Sequence, residues 1–295
     1  METIRKSERL QALVTERLAL MLLGVLLLFA LAGSLSRQQA TVVAPDAATA
    51  SPMPAAQAEP TPRSVFPDLS LAATTDARKE KFLDYLQDYI DDENQRISLD
   101  RLRLIAIGQT LRNEGALTRD SRDWLLGLAG RYEVAEADFA DRETWLDELL
   151  FRVDVVPTSL VLAQAANESA WGTSRFTREG NNIFGQWCHT PGCGIVPRLR
   201  PAGATHEVRS FTTIHDAMAA YFININTNEH YQFFRELRQT MKLQQRDLDP
   251  LVLAFGLNRY SERGRDYIDE LQTIMVQNNL MARDADYQAV IGMVD

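Results

Sequence analysis

Residues 157–170 read PTSLVLAQAANESA, an alanine-rich run in which Glu168 is the one ionisable side chain. Proline suits the start of a helix, and the largely uncharged composition predicts that this helix is buried. A carboxyl group near the end of a buried helix is costly unless its surroundings compensate for it. The segment therefore predicts a buried helix and makes Glu168 the first candidate for chemistry.

The neighbours of Glu168 allow two interpretations. Trp171 lies three residues further on, where an apolar ring would disfavour the ionised carboxylate and raise its pKa. A glycosidase uses such an acid to protonate a leaving oxygen. Alternatively, Glu168 caps the helix or forms an ion pair with Arg175 or Arg178 and has no catalytic role. The residues alone leave both interpretations open.

Most of the surrounding chain has helical periodicity. Residues 180–213 differ, because they are rich in glycine and proline, contain both cysteines, and include an alternating run at 206–211 that suits a short strand. We therefore predict an α+β fold, a mainly helical domain with a small β-lobe and a substrate cleft where the two meet. The first predicted helix face has the i, i+3, i+4 spacing of a buried stripe, formed by Phe82, Tyr85, Leu86, Tyr89 and Ile90.

The overall composition is that of a folded chain. Of its 295 residues, 45% are hydrophobic and 24% are charged. The formal net charge of -9 leaves no global positive field to hold a nucleic-acid backbone, so a general nucleic-acid-binding function is not expected.

The amino-terminal part predicts export. Residues 18–36 carry no charge and follow a basic flank, which fits a segment of roughly 20 apolar residues that crosses a bilayer. We expect an uncleaved inner-membrane anchor, with residues 1–17 in the cytoplasm and the rest of the chain in the periplasm. The run from Ala30 to Ala32 also fits a signal peptidase site, which would give a secreted or periplasmic protein.

A linker is predicted between this segment and the folded domain. Residues 37–75 are rich in alanine and contain six of the 11 prolines. Such a stretch buries too little apolar surface to offset the entropy lost on ordering. We therefore expect folded structure to begin near Thr75 and the domain to occupy residues 76–295.

Cys188 and Cys193 flank a turn-forming tetrapeptide, residues 189–192. Export would place them where disulfides persist, so we predict a bridge that pins this loop beside the cleft. A metal site formed with His189 and His206 is disfavoured, because the spacing is not a standard zinc pattern. We expect neither a metal nor a cofactor.

Several motifs together carry a resemblance to a known family. AQAANESAWGTSRF at residues 163–176 is followed by EGNNIFG at 179–185, then by HEVRSF at 206–211 and GLNRYS at 256–261. These motifs closely resemble the glucosaminidase domain of glycoside hydrolase family 73, in particular that of Bax-type exported bacterial proteins. The resemblance extends from about residue 83 to the end of the chain.

The resemblance implies a lysozyme-like fold and hydrolysis of the β-1,4 bond after N-acetylglucosamine in bacterial peptidoglycan. Glu168 holds the position of the family's catalytic acid, and Tyr260 that of its functional tyrosine. Glu207 is the best match for a second carboxylate, the alternative being a solvated strand residue. About 6.5 to 9.5 Å or more from Glu168, it would activate water and invert the anomeric centre. Otherwise the substrate's 2-acetamido group would act as nucleophile, with Tyr260 orienting it or stabilising the oxocarbenium ion.

Other residues are candidates for substrate binding. Aromatic rings would stack on sugars unless they belong to the core, and Asn182 would hydrogen-bond an acetamido group. Arg209, near Arg198 and Arg200, would meet carboxylates of the polymer unless these arginines belong only to a solvated loop. Gly185 is also a candidate, because it belongs to the NNIFG motif. The aromatic candidates are Trp171, Phe184 and Trp187.

Three alternative functions remain. A lytic transglycosylase also has a Glu-Ser pair at a helix end, but its downstream Gly-Leu-Met-Gln segment is absent here. A muramidase would cut the other bond of the same polymer. A peptidoglycan-binding or scaffolding module would keep the fold without turnover. The expected partners are glycan strands and the inner membrane through residues 18–36.

Overall fold

A computed structural model of the protein describes residues 66–69, 72–201 and 203–284. The predicted membrane anchor, its cytoplasmic flank and most of the predicted linker lie outside these residues. Within the described ranges, the chain forms no helix with the length and apolar character needed to span a membrane.

The described chain is mainly helical with one small sheet, as predicted. Single turns of 3-10 helix lie at Glu136–Asp138, Glu229–Tyr231, Ala254–Leu257 and Leu280–Arg283. The strands are β1 (Trp187–Cys188), β2 (Gly194–Ile195) and β3 (Glu207–Arg209). The α-helices are α1 (Thr75–Glu114), α2 (Arg119–Arg131), α3 (Arg142–Arg152), α4 (Thr158–Ser169), α5 (Arg175–Gly180), α6 (Ile214–Thr227), α7 (Gln232–Leu243), α8 (Pro250–Leu253) and α9 (Arg265–Gln277).

Helix α1 is the longest element, with 40 residues. Thr74 caps its start, because its hydroxyl accepts the Ala77 N–H at 3.1 Å. Gly115 ends it with φ 71°, a left-handed conformation that glycine adopts without strain. The predicted apolar face is confirmed, since Phe82, Leu86 and Ile90 are fully buried.

Helix α4 is the buried helix that the sequence predicted. Its residues from Thr158 to Ala166 are buried, and it packs against α1, α9 and the turn at Leu280–Arg283. No side chain caps its start locally, but the distant Asp284 takes that role. The two oxygens of Asp284 accept from the Ser159 backbone N–H and hydroxyl, each at 2.7 Å. The carboxyl end of the described chain therefore anchors α4.

Buried polar groups fix the segment that leads into α4. The Asn94 side-chain amide hydrogen-bonds both backbone groups of Val156. It accepts the Val156 N–H at 3.0 Å and donates to the Val156 carbonyl at 2.9 Å. Arg238 donates to the carbonyls of Asp154 and Val155 at 3.1 and 2.9 Å, and the Asp154 carboxylate pairs with Lys242. These bonds link α1 and α7 to the start of α4.

The β-lobe is a three-stranded antiparallel sheet in the order β1-β3-β2. In the register of the sheet, Cys188 lies opposite Glu207 and Gly194 lies opposite Arg209. A side chain at position 194 would lie 2.0 Å from the Val208 carbonyl oxygen, so the strand pairing requires glycine there.

Packing begins before the predicted boundary at Thr75. Phe66 and Leu69 are buried, and the Phe66 ring lies 6.3 Å from Phe82 between centroids. A Cβ on Gly172, whose φ is +77°, would come within 2.7 Å of Phe66 and 2.9 Å of Leu69. The predicted linker therefore ends in a docked segment, residues 66–69, which fills the space left by Gly172 beside the end of α4.

Candidate active site

Glu168 lies in the last turn of α4, where the chain reverses sharply. Ala170, Trp171 and Gly172 follow with φ values of 50°, 58° and 77°. For the two non-glycine residues this costs about 1–3 kcal/mol each, so the surroundings must hold the turn in place. Ser169 contributes, because its hydroxyl accepts the Gly172 N–H at 2.8 Å and donates to the Ala165 carbonyl at 2.6 Å.

The Glu168 carboxyl is partly buried and incompletely hydrogen-bonded. Its Oε1 is inaccessible to solvent and has no hydrogen-bond partner. Burial raises the pKa of Glu168 above its usual value, and the charge of Glu270 adds to this. The Tyr267 hydroxyl and the Arg263 guanidinium favour the ionised form but do not reverse the shift. The direction of this shift is the one that the sequence predicted.

The alternative of an ion pair with Arg175 is wrong. Arg175 instead lies 3.7 Å from the Glu179 carboxylate and donates to the Val196 carbonyl at 3.0 Å. Among the described residues, Glu168 forms no salt bridge.

The motifs of the sequence converge on Glu168. Gly185 has φ +67°, and a Cβ there would be 3.7 Å from Oε2 of Glu168. The Tyr260 hydroxyl donates to the Phe184 carbonyl at 2.9 Å. Glu168, the 184–185 backbone and Tyr260 therefore form one local structure, although 92 positions separate Glu168 from Tyr260 in the chain.

Two further tyrosine rings, those of Tyr231 and Tyr267, pack against Tyr260. Tyr260 stacks on Tyr267 with centroids 5.6 Å apart and an interplanar angle of 1°, and Tyr231 lies 5.8 Å from Tyr260. Burial raises the pKa of Tyr260 well above its usual value and that of Tyr231 to about 12. These hydroxyls therefore stay neutral and act as hydrogen-bonding groups rather than as bases.

Glu207 has different surroundings. Its carboxylate accepts the Gly192 N–H at 3.0 Å and the Gly194 N–H at 2.8 Å, and these bonds lower the pKa of Glu207. With 7% of its surface exposed, it is not the solvated strand residue of the alternative interpretation. Its two hydrogen bonds join β3 to the cysteine loop rather than to Glu168.

The predicted disulfide is present. Cys188 and Cys193 are bonded, with Cα atoms 6.3 Å apart. Both sulfurs lie within 4.8 Å of a Glu207 oxygen, but bridged sulfurs are not thiolate ligands, so this cluster is not a thiolate metal site.

Two predicted substrate-binding side chains belong to the protein interior. Asn182 is 2% exposed, and its amide donates to the carbonyls of Gln186 and Arg209 and accepts the Gln186 N–H. Both polar atoms are therefore already used, which corrects its predicted role toward an acetamido group. Phe184 is 1% exposed and stacks on Tyr221 at 4.0 Å, so its ring is a core group and not a sugar platform.

The other three candidate side chains are more accessible. Trp187 is 61% exposed and stacks on His206 with centroids 4.1 Å apart. Arg209 is exposed, with its guanidinium 4.9 Å from the Phe211 ring. Trp171 is only partly buried, but its ring packs against Phe82 on α1, 5.8 Å between centroids. The sequence predicted that this ring contacts the Glu168 carboxyl, but the aromatic partner that it packs against is Phe82.

The sequence did not lead us to predict the buried polar groups around Gln164, one turn before Glu168 in α4. Gln164 is fully buried and donates to the Tyr267 hydroxyl at 3.0 Å, and the Tyr221 hydroxyl donates to its amide oxygen. A glutamine one turn before Glu168 in a buried helix was the available signal, because a buried amide needs partners.

Comparisons with known proteins identify the family of the domain. Residues 144–280 match the glucosaminidase family model, described as mannosyl-glycoprotein endo-beta-N-acetylglucosaminidase. Glu168, Glu207 and Tyr260 all lie inside the matched region. The chain belongs to the glucosaminidase family, and membership supports a glycosidase activity.

A particular relative refines the assignment. Protein bax of Escherichia coli (strain K12) is 32% identical over 216 residues, which cover 73% of this chain and 75% of that protein. The domain is therefore a Bax-type glucosaminidase domain. No solved structure matches the chain.

Proposed function

We propose that this protein is a peptidoglycan hydrolase, an endo-β-N-acetylglucosaminidase that cleaves the β-1,4 bond after N-acetylglucosamine. The observation that carries the proposal is Glu168, a carboxyl with a raised pKa and an unpartnered oxygen in a glucosaminidase family domain. A raised pKa keeps a fraction of Glu168 protonated, so that it can act as general acid toward the glycosidic oxygen.

The nucleophile that we propose is the 2-acetamido group of the substrate. Both oxygens of Glu207 are engaged by the cysteine loop, which argues against Glu207 as the base that activates water. In the first step the acetamido oxygen bonds to C1, the glycosidic C1–O bond breaks, and the leaving oxygen takes the Glu168 proton. Water then attacks C1 as the Glu168 carboxylate removes its proton, and the acetamido group is restored.

Tyr260 is assigned to the acetamido side of the site. Its hydroxyl hydrogen is used by the Phe184 carbonyl, but its oxygen retains acceptor capacity. We propose that this oxygen accepts the acetamido N–H and so directs the carbonyl oxygen toward C1. The accessible groups proposed to bind the glycan are Trp187, by stacking, and Arg209, by pairing with carboxylates.

We further propose that the domain is lysozyme-like and works in the periplasm. A helical body with a small antiparallel lobe supports the first part. The Cys188–Cys193 bridge supports the second, because disulfides persist in oxidising compartments. Residues 18–36 would tether the domain to the inner membrane.

Digestion of purified peptidoglycan tests the function. The full chain and its Glu168→Gln variant are incubated with the polymer, and the fragments are identified by mass spectrometry. We expect reducing N-acetylglucosamine ends from the native protein and far fewer from the variant. Reducing muramic ends would indicate a muramidase, and anhydro ends a transglycosylase. Release of nothing by the native protein would favour a binding module.

A further inference from the structure

The docked segment, residues 66–69, lies against the turn that follows Glu168. Its side chains Phe66 and Leu69 are 6% and 5% exposed. A Cβ on Gly172 would lie 2.7 Å from two carbons of the Phe66 ring and 2.9 Å from a Leu69 methyl. Both side chains therefore pack directly on the backbone four residues after Glu168, although the proposed reaction does not use them.

Phe66 also joins this turn to α1. Its ring packs edge-on against Tyr85 with centroids 5.3 Å apart, and it lies 6.3 Å from Phe82. Phe82 in turn packs against Trp171 at 5.8 Å. Two consecutive residues of the turn are therefore held from outside, Trp171 by α1 and Gly172 by the docked segment.

The turn depends on outside support because its backbone is strained. Ala170 and Trp171 both adopt positive φ, which non-glycine residues rarely do. Inside the turn, the Gly172 N–H donates to the Ser169 hydroxyl at 2.8 Å. A shift of Gly172 would therefore be transmitted to Ser169, which is the next residue after Glu168.

We propose that the docked segment positions the general acid, with Phe66 and Leu69 as positioning residues. They fill the space over Gly172 and so keep the strained turn from relaxing. This fixes the last turn of α4 and the direction of the Glu168 side chain. The inference rests on the proposed role of Glu168 as general acid.

Two truncations of the docked segment in the full chain test the inference. Phe66→Ala removes the ring, and we expect it to lower kcat on purified peptidoglycan by about 10-fold, because a small misplacement of a catalytic group costs much of the rate. KM should change less, since Trp187 and Arg209, the side chains proposed to bind glycan, lie on the β-lobe. Leu69→Ala should lower kcat in the same direction, and it keeps the test decisive if Phe66→Ala does not fold.

A conservative change at the same position should restore the rate. Phe66→Leu keeps an apolar side chain over Gly172 and leaves a smaller cavity than Phe66→Ala. We therefore expect kcat of Phe66→Leu within about threefold of the native value. Every rate is measured at a temperature at which circular dichroism shows the variant to be folded.

Leu125→Ala is the matched control for a loss of stability. Leu125 is 2% exposed and lines a small pocket with Leu111 and Trp145. Leu111 lies about 40 Å along α1 from Phe82, at about 1.5 Å per residue. Because this substitution also truncates a buried apolar side chain, it should lower Tm, but kcat should stay at the native value.

Amide hydrogen exchange gives a readout that does not depend on turnover. In Phe66→Ala, the amides of residues 171–174 should exchange about 10-fold faster or more, because the turn opens locally. In Leu125→Ala they should exchange as in the native protein. NMR resolves the individual amides. If the native protein proves inactive, the proposed function fails, and the exchange still tests whether the docked segment holds the turn.

Two results would overturn the inference. One is native kcat, or native exchange at residues 171–174, in the folded Phe66→Ala and Leu69→Ala variants. The other is an equal change of kcat and of this exchange in Leu125→Ala, which would show that general destabilisation is the cause.

Discussion

The helical body and the β-lobe each contain one glutamate that the sequence nominates for catalysis, and the two are held in opposite ways. Glu168 ends a buried helix with one oxygen unpartnered, and burial raises its pKa. Glu207 lies on a strand with both oxygens bonded to backbone N–H groups, which lower its pKa. A buried carboxyl with an unpartnered oxygen is suited to proton donation, whereas one with both oxygens hydrogen-bonded is suited to holding a loop.

The largest difference between the two glutamates is expected in the loss of kcat caused by Glu168→Gln. Loss of a general acid typically costs 10²- to 10⁴-fold, so we expect kcat on peptidoglycan to fall by about that factor. Gln is nearly isosteric, so Tm should change little or rise, since an under-bonded buried acid is removed. Turnover and thermal unfolding are measured on the same preparation. Native-like turnover would remove Glu168 from the reaction.

The helical body is expected to depend on the docked segment, residues 66–69. Phe66→Ala should lower the free energy of unfolding by about 3 kcal/mol, because the ring fills the space beside Gly172 and packs on Phe82. Urea unfolding of the full chain measures this change. Leu199→Ala is the control, because Leu199 is 94% exposed. Equal, small effects of the two substitutions would show that the segment does not contribute to the core.

The β-lobe is expected to depend on its disulfide. Replacing both cysteines by serine should cost the lobe roughly 2 kcal/mol, because the short loop gains conformational freedom when the lobe opens without its closure. The loss should be local, with faster amide exchange at Gly192 and Gly194 and unchanged exchange in α4. Hydrogen exchange monitored by mass spectrometry resolves the two regions. Equal loss of protection in α4 would contradict the separation between lobe and body.

The smallest effect on chemistry is expected from Glu207→Gln. If Glu207 holds the cysteine loop, kcat should fall less than tenfold, against about 10²- to 10⁴-fold for Glu168→Gln. The stability that Glu207 contributes is present above the ordinary glutamate pKa and is lost as pH falls through its lowered pKa. Tm of the native protein should therefore exceed that of the variant at neutral pH and converge with it in acid. A loss of kcat as large as that of Glu168→Gln would identify Glu207 as catalytic.

The sequence predicted those parts of the site that depend on local pattern. The composition around Glu168 indicated a buried helix, and the turn-forming tetrapeptide between Cys188 and Cys193, together with the predicted export, indicated a bridge. The buried hydrogen bond between Gln164 and Tyr267 could not be predicted, because these residues are 103 positions apart and meet only when α9 packs on α4.

The direction of the chain after Asn181 explains two wrong predictions, the substrate-binding roles of Asn182 and Phe184. Asn181 adopts φ 52° and turns the following residues inward, so Asn182 and Phe184 are buried rather than open to substrate. Phe66 was assigned to the linker for a related reason. Its burial depends on the missing side chain of Gly172, more than a hundred residues away in the chain.

A carboxyl 13C NMR titration of the two glutamates in one sample tests the central claim most directly. The resonances are assigned by their loss in Glu168→Gln and Glu207→Gln. Relative to the ordinary glutamate value of about 4.3, we predict a higher pKa for Glu168 and a lower one for Glu207. A Glu168 pKa at or below that of Glu207 would contradict the assignment of Glu168 as the acid and Glu207 as the loop anchor.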